Sequence, residues 1–180
     1  MKTDDLLVRA VTFEDCHQLS GLMKEEVESA QRLARYYIVP EKFDWQGYTQ
    51  DRLKDRTRKF FVAQSRGNLV GFIELHTRKY PPPVIQPSLL CRFKKRNNRA
   101  LSMPIDPLKW AVIEACFVSP QCRNKGVGSA LVAAGLNWVK QAGVHRVELG
   151  VLSANSAVAF WEKLGFDDWR IQMSKELGSL

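Results

Sequence analysis

The residues best placed to do chemistry lie in one stretch, Val118-Ser-Pro-Gln-Cys-Arg-Asn-Lys-Gly-Val-Gly-Ser129. It leaves an apolar run, turns through Pro120 and opens the strongest helical pattern in the chain, so that Gly126 and Gly128, with the cations Arg123 and Lys125, stand at a helix start. The first amides of a helix have no partner in their own ladder, the helix dipole favours negative charge there, and glycine lets an oxygen approach the backbone. A pyrophosphate is the ligand this pattern suits. From spacing alone, a glycine-rich connection with surface cations accounts for the same residues equally well. A Walker A loop is excluded because no G-K-[ST] opens the helix, and the G-x-G-x-x-G/A pattern is met only in part, with Leu131 at the third small position.

Metal chemistry has no comparable support. Cys16, Cys91, Cys116 and Cys122 form no C-x-x-C pair, and His17, His76 and His145 are too scattered for a zinc spacing, so reduced thiols and no metal are expected.

The elements that must position the loop read as follows. Residues 6–11 form a strand, and T-F-E-D from Thr12 is a capping-box-like start with Asp15 where Glu or Gln is usual. A helix follows, its stripe running through Phe13, Cys16, Leu19, Leu22, Met23 and Val27. Pro40 suits the first turn of a second helix that passes Phe43, Tyr48 and Leu53. Residues 59–64 and 69–76, joined at Arg66-Gly67-Asn68, make a hairpin. Residues 110–118 are nearly all apolar, which suits a strand buried on both faces. A helix over 126–141 stops at Gly143, a strand spans 146–152, and a short helix over 157–164 is closed by Gly165 with Phe166 as its hydrophobic contact. A last strand is expected over 168–173.

Between the hairpin and the apolar strand lies a segment of different character. Residues 77–105 hold seven cations and no acid, and six of the eight prolines fall between 81 and 107, so a Pro-rich basic insertion is expected at about 78–107. It carries most of the net charge of +8. A chain of 180 residues with 45% hydrophobic and 26% charged residues forms one domain, 1–180, with a core that needs no disulfide staples. The two acids in MKTDDLLVRA oppose a signal peptide and no long apolar run occurs, so a cytoplasmic protein without a membrane partner is expected.

The order of elements, together with A-V-I-E-A-C-F-V-S-P-Q-C-R-N-K-G-V-G-S-A-L and, some thirty residues on, A-V-A-F-W-E-K-L-G-F, resembles the GNAT (Gcn5-related N-acetyltransferase) superfamily. Arg123, Gly126 and Gly128 match its Q/R-x-x-G-x-G/A loop. The resemblance implies a mixed α/β domain with a mostly antiparallel twisted sheet of about 6–7 strands and about four helices, splayed between strands 4 and 5. It implies acetyl-CoA as co-substrate, its pantetheine arm along Cys116, Phe117 and Val118 and its pyrophosphate on the amides of Arg123, Asn124, Lys125, Gly126, Val127, Gly128 and Ser129. Asn155 is the candidate for the asparagine that often contacts the cofactor arm, and Trp161 stands where many members have a tyrosine that protonates the CoA thiolate. Indole N–H is no acid near neutral pH, so Trp161 either flanks the cofactor or packs beside Phe160.

Acetyl transfer to an amine also requires a base, because an ammonium has no lone pair to attack with. Glu114 is the only acid in its strand and is the candidate proton acceptor or amine-orienting anion; two-residue alternation puts it on the face of Cys116 and Val118. Glu74 is the second choice, and Tyr80 a substitute acid. The activity implied is direct acetyl transfer to a small-molecule or protein amine in a ternary complex, with the insertion shaping acceptor access. An acyl-CoA-binding regulatory module without transfer activity, and an RNA-associated protein using the cations of 92–99, are the alternatives. Relatives often dimerise, so a homodimer is kept among the partners.

Overall fold

The computed structural model describes residues 5–33, 40–79, 109–170 and 173. The insertion beyond Lys79, Tyr80 included, lies outside the described residues.

β1 (Leu6–Ala10) leads through a 3-10 turn at Phe13–Asp15 into α1 (Cys16–Leu33). The turn forms as the T-x-x-D spacing predicts: the Asp15 carboxylate accepts the Thr12 backbone N–H at 2.8 Å and a two-pronged hydrogen bond from Arg9 at 2.7 and 2.8 Å. Cys16, Leu19, Leu22 and Met23 are buried, whereas Phe13 is 58% exposed because it precedes the helix. α2 (Trp45–Lys54) starts well after Pro40, since Asp44 supplies the cap by accepting the Gly47 N–H at 2.9 Å. β2 (Arg58–Ser65) and β3 (Asn68–Lys79) are joined by Arg66 and Gly67, both at positive φ, the conformation a two-residue hairpin turn needs. β4 (Lys109–Val118), α3 (Val127–Gln141), β5 (Val147–Leu149) and α4 (Val158–Lys163) complete the order.

The sheet runs β1-β2-β3-β4-β5, antiparallel throughout except for β5, which lies parallel to β4. On one face Ile73, Leu75, Ala111 and Ile113 pack under Val127, Leu131 and Val139 of α3 and Trp161 of α4. On the other, Phe60, Val62, Phe72 and Phe117 pack under Leu19, Leu22 and Met23 of α1. Two findings correct the sequence expectation. β4 is not buried on both faces, for Glu114 is exposed. The sheet has five strands among the described residues rather than six or seven: of the strand expected over 168–173, residues 168–170 are in no strand and 171–172 lie outside the described residues, and Trp169, 60% exposed, stacks on the Arg146 guanidinium at 3.8 Å. No helix among the described residues is long and apolar enough to cross a membrane.

The Arg9–Asp15 pair has a pH signature. Hydrogen bonds from Arg9, then from Thr12, hold the Asp15 carboxyl down to about 2 against an ordinary value of 3.8, overcoming the opposing effect of burial. A carboxyl depressed in the folded state stabilises the fold above its unfolded pKa and loses that contribution as pH falls through the folded one. In Asp15→Asn, the part of the acid-induced stability loss that falls between about pH 4 and pH 2, on the order of 2 kcal/mol, is therefore expected to disappear, as read from urea unfolding at successive pH values. Parallel curves for the two proteins would show that the pair contributes nothing.

Candidate active site

β4 is the spine of the site, and its register decides where each side chain points. Glu74 of β3 pairs with Ala115, but Leu75 pairs with Ile113, so Glu114 is an extra residue without a cross-strand partner. Such a bulge flips the alternation beyond it. Ala111 and Ile113 pack on the α3 side before it, Cys116 and Val118 do so after it, and Ala115 and Phe117 join the α1 side. Glu114 and Ala115 consequently open on the same cleft as Glu74. The expectation that Glu114 shares a face with Cys116 and Val118 is thus overturned, because a strict two-residue period does not survive an inserted residue.

The second property of β4 is that it parts from β5. Among the described residues, pairing joins Ala111–Ile113 to Val147–Leu149 and stops, and no strand lies on the β5 side of residues 114–118. Burial pushes the Cys116 thiol up to about 12, which leaves it a protonated spacer rather than a nucleophile.

Beyond Val118 the chain passes a 3-10 turn at Pro120–Cys122 and enters α3 through Asn124 and Gly126, both at positive φ. Glycine takes that conformation at Gly126 without strain, and a Cβ there would meet no atom within 4 Å, so the space before the helix is open. The Ala130 N–H closes on the Gly126 carbonyl at 3.0 Å, leaving the amides of Val127, Gly128 and Ser129 ahead of the intrahelical ladder. Arg123 and Lys125 fold back on the loop: Arg123 Nε donates to the Val118 carbonyl at 3.0 Å and Lys125 Nζ to the Gln121 carbonyl at 2.6 Å. A Cβ on Gly128 would stand 3.2 Å from the Phe160 ring and 3.8 Å from Val118, so α3, α4 and β4 converge there.

Asn155 shapes the turn that leads into α4: its Oδ1 accepts the Ala157 N–H at 2.9 Å and its carbonyl accepts the Val158 N–H at 3.1 Å. Its other end closes as the Gly165-Phe166 pair predicts, with the Phe166 N–H on the Trp161 carbonyl at 3.1 Å. Trp161 is only 8% exposed, its ring 5.0 Å from that of Phe160 and 5.3 Å from that of Phe166. It fills the α3-side core.

On the opposite face a cleft of about 210 Å³ lies under α1 and α2. Its walls include Glu26 of α1, Tyr48 and Arg52 of α2, Glu74 and Glu114. Glu74 is buried and both its oxygens are held by Arg52, at 2.6 to 3.2 Å, with Arg58 adding a contact at 2.5 Å. That engagement makes it the floor of the cleft, with both oxygens already occupied. Glu114 Oε1 lies 3.1 Å from His76 Nδ1 and 3.4 Å from Arg78 Nη2. Glu26 forms no hydrogen bond or ion pair among the described residues, and burial, then the charge of Glu74, raises its carboxyl above the ordinary range, with Arg52 opposing. A larger hollow of about 610 Å³ between the end of α1 and the start of α2 has no β3 or β4 residue in its walls and holds none of this chemistry.

Glu26, Tyr48, Arg52 and His76 were not singled out from the sequence as site residues. Only Glu26 left a trace there: it stands four residues after Leu22 and three after Met23, inside the apolar stripe, where an acid is withdrawn from water.

With this geometry in view, known proteins give a consistent picture. The profile of the Acetyltransferase (GNAT) family matches residues 24–166. An uncharacterized N-acetyltransferase of Methanocaldococcus jannaschii is 26% identical over 89% of the chain, which spans 60% of that protein's length. A mycothiol acetyltransferase of Paenarthrobacter aurescens is 42% identical over 60% of the chain, which spans 27% of that protein. The crystal structure of a tetramutant protein from Bacillus halodurans superposes with a TM-score of 0.75 at 18% identity, covering 95% of this chain and 99% of that one. The family profile spans most of the sequence, and the chain belongs to the GNAT family of acetyltransferases.

Proposed function

We propose that this chain is an acetyl-CoA-dependent N-acetyltransferase that passes the acetyl group directly to an amine in a ternary complex. The observation that carries the reading is the bulge at Glu114, which turns a carboxylate into the α1–α2 cleft at the point where β4 leaves β5. The opening beside residues 114–118 and the amides that start α3 suit acetyl-CoA: an unpaired strand edge offers hydrogen bonds to the amides of its arm, and the helix start offers them to its pyrophosphate. Bound there, acetyl-CoA supplies a thioester carbonyl as acyl donor. The residues assigned to it are Cys116, Phe117, Val118 and the backbone from Arg123 to Ser129, with Asn155 and Trp161 acting through α4, one shaping the turn that enters the helix and the other seating it on the core.

The acceptor enters the cleft as an ammonium. Glu26, half-buried and without a partner among the described residues, meets its charge, and Glu114 takes the proton that must leave before nitrogen can attack. Attack forms the C–N bond and the C–S bond breaks, and the nitrogen sheds its second proton as the amide forms, to the departing thiolate or to water. Trp161 gives no proton to the thiolate and none is required, because a thiol of pKa about 8.5 is a tolerable leaving group.

Two measurements test the reading. Saturating acetyl-CoA, at about 100 times its Kd, is expected to add about 2.7 kcal/mol, a rise of about 5–11 °C in Tm, whereas an adenine nucleotide lacking the arm adds less. Gly126→Val, which sets a side chain in the open space before α3 and strains the positive φ there, is expected to lower the Tm of the free protein and to abolish most of the ligand-induced rise measured from that lower value. CoA release is then followed across a panel of primary amines. Equal Tm shifts in wild type and Gly126→Val would remove the cofactor site from α3, and a shift without CoA release from any amine would favour the acyl-CoA-binding module.

A further inference from the structure

His76 lies one alternation beyond Glu74 on β3, on the face the bulge gives to Glu114. It is buried, and charged groups reach it from three strands: Glu114 of β4, Arg58 of β2, and Arg78 and Glu74 of its own strand. Arg78 Nε donates to His76 Nε2 at 2.7 Å. A ring nitrogen that accepts a hydrogen bond carries no proton, so the neutral imidazole holds its proton on Nδ1. That atom is buried, makes no aligned hydrogen bond, and stands 3.1 Å from Glu114 Oε1. Arg78 Nη2 approaches the same oxygen at 3.4 Å. Oε2 of Glu114 has no partner among the described residues, so the carboxylate is held by one oxygen and free at the other.

We propose that His76 is the positioning residue of the transfer: its Nδ1–H, fixed by the Arg78 bond on the opposite nitrogen and left 3.1 Å from Oε1 of Glu114 without alignment in the free protein, aligns on that oxygen when the bound acceptor draws Oε2 to its ammonium. The proposal rests on the reading of Glu114 as proton acceptor. The first of the two protons the nitrogen loses moves from the ammonium to Oε2, freeing the lone pair; the second leaves after attack as the amide forms, and His76 keeps its own proton throughout. Burial, with the nearby Arg78 and Arg58, lowers the imidazole pKa more than Glu114 and Glu74 raise it, which keeps the ring neutral as this role demands. An imidazolium would surrender the Arg78 bond, because its Nε2 would become a donor.

The test has a spectroscopic and a kinetic arm. In protein labelled with ¹⁵N-histidine, the long-range proton–nitrogen spectrum is expected to show one imidazole as the Nδ1–H tautomer at pH 7, missing from His76→Asn and shifted in Glu114→Gln. An Nε2–H or doubly protonated ring at that position overturns the proposal. In the kinetic arm, His76→Leu is expected to lower kcat/KM for the amine by about 10- to 100-fold, the range a hydrogen bond to a charged group carries, and to move the acid limb of the pH profile upward because Glu114 loses a donor. His76→Asn, whose amide places an N–H near the Nδ1 position, is expected to recover to within about threefold, and His76→Leu is expected to cost nothing further in a Glu114→Gln background. An unchanged rate in His76→Leu, equal losses in both His76 variants, or an equal further loss in the Glu114→Gln background each overturn the role. Failure of the underlying reading looks different: wild type that binds acetyl-CoA and acetylates no amine removes the transfer itself, whereas active wild type with the wrong tautomer removes only His76.

Discussion

Glu114→Gln is expected to lower acceptor-dependent CoA release by about 10²- to 10⁴-fold at neutral pH, the range over which a positioned proton acceptor acts. Glutamine keeps the shape of the side chain and a hydrogen-bonding group for the amine but takes no proton. The bulge carries Glu114 to the face opposite Cys116 and Val118, so the acetyl-CoA-induced rise in Tm is expected to stay near the wild-type value. The pH profile gives the sharper signature. An alkyl ammonium has a pKa of about 10, so each unit of pH above neutrality raises the free amine about tenfold. The variant, which depends on amine already deprotonated in solution, is expected to gain on wild type as pH rises from 7 to 9. A loss of less than about threefold with parallel profiles would dismiss Glu114 as proton acceptor and leave Glu26 as the carboxylate of the cleft to test.

Glu74→Ala is the substitution with the largest expected cost to stability. Glu74 is 2% exposed, and the arginines that hold it, Arg52 and Arg58, are themselves about one-fifth exposed. Removing one partner of a buried ion pair leaves the others withdrawn from water without compensation, at a cost of about 3–5 kcal/mol. Both guanidiniums retain some access to solvent and Arg58 keeps Asp55 at 3.0 Å, which favours the lower end. A loss of about 3 kcal/mol corresponds to a fall of about 6–12 °C in Tm for a chain of this size. In urea the midpoint is expected to fall with m unchanged. Because Arg52 bridges α2 to the sheet through this carboxylate, weakened amine binding should accompany the loss, with α2 no longer held over the cleft. A change below 1 kcal/mol would mean that the arginines reach water by rotation and that α2 is held by the packing of Trp45, Thr49 and Leu53.

Much of the fold was legible in the residues because its signals are local. The turn at Arg66 and Gly67, the cap at Asp15, the start of α3 at Gly126 and the closure of α4 by Gly165 and Phe166 each depend on a few consecutive residues whose allowed backbone angles and nearby hydrogen bonds decide the outcome. A boundary slipped where two local signals competed, as at Pro40 and Asp44. Of the site, the glycine loop and the identity of Glu114 as a lone acid could be read. Its direction could not: a bulge exists only against a partner strand, and nothing within residues 109–118 says that Leu75 will pair with Ile113 while Glu74 pairs with Ala115.

The cleft was hidden for the same reason. Arg52, Arg58, Glu74 and His76 look like ordinary charged and polar residues on a helix and a hairpin until the sheet packs under α1 and α2 and withdraws them from water. By itself the sequence determined the elements, their caps and the loop ahead of α3, since backbone sterics and short-range hydrogen bonds act between neighbours. Only the tertiary structure decided which face Glu114 serves and what surrounds it. Those depend on register and burial, and both arise between segments distant in the chain.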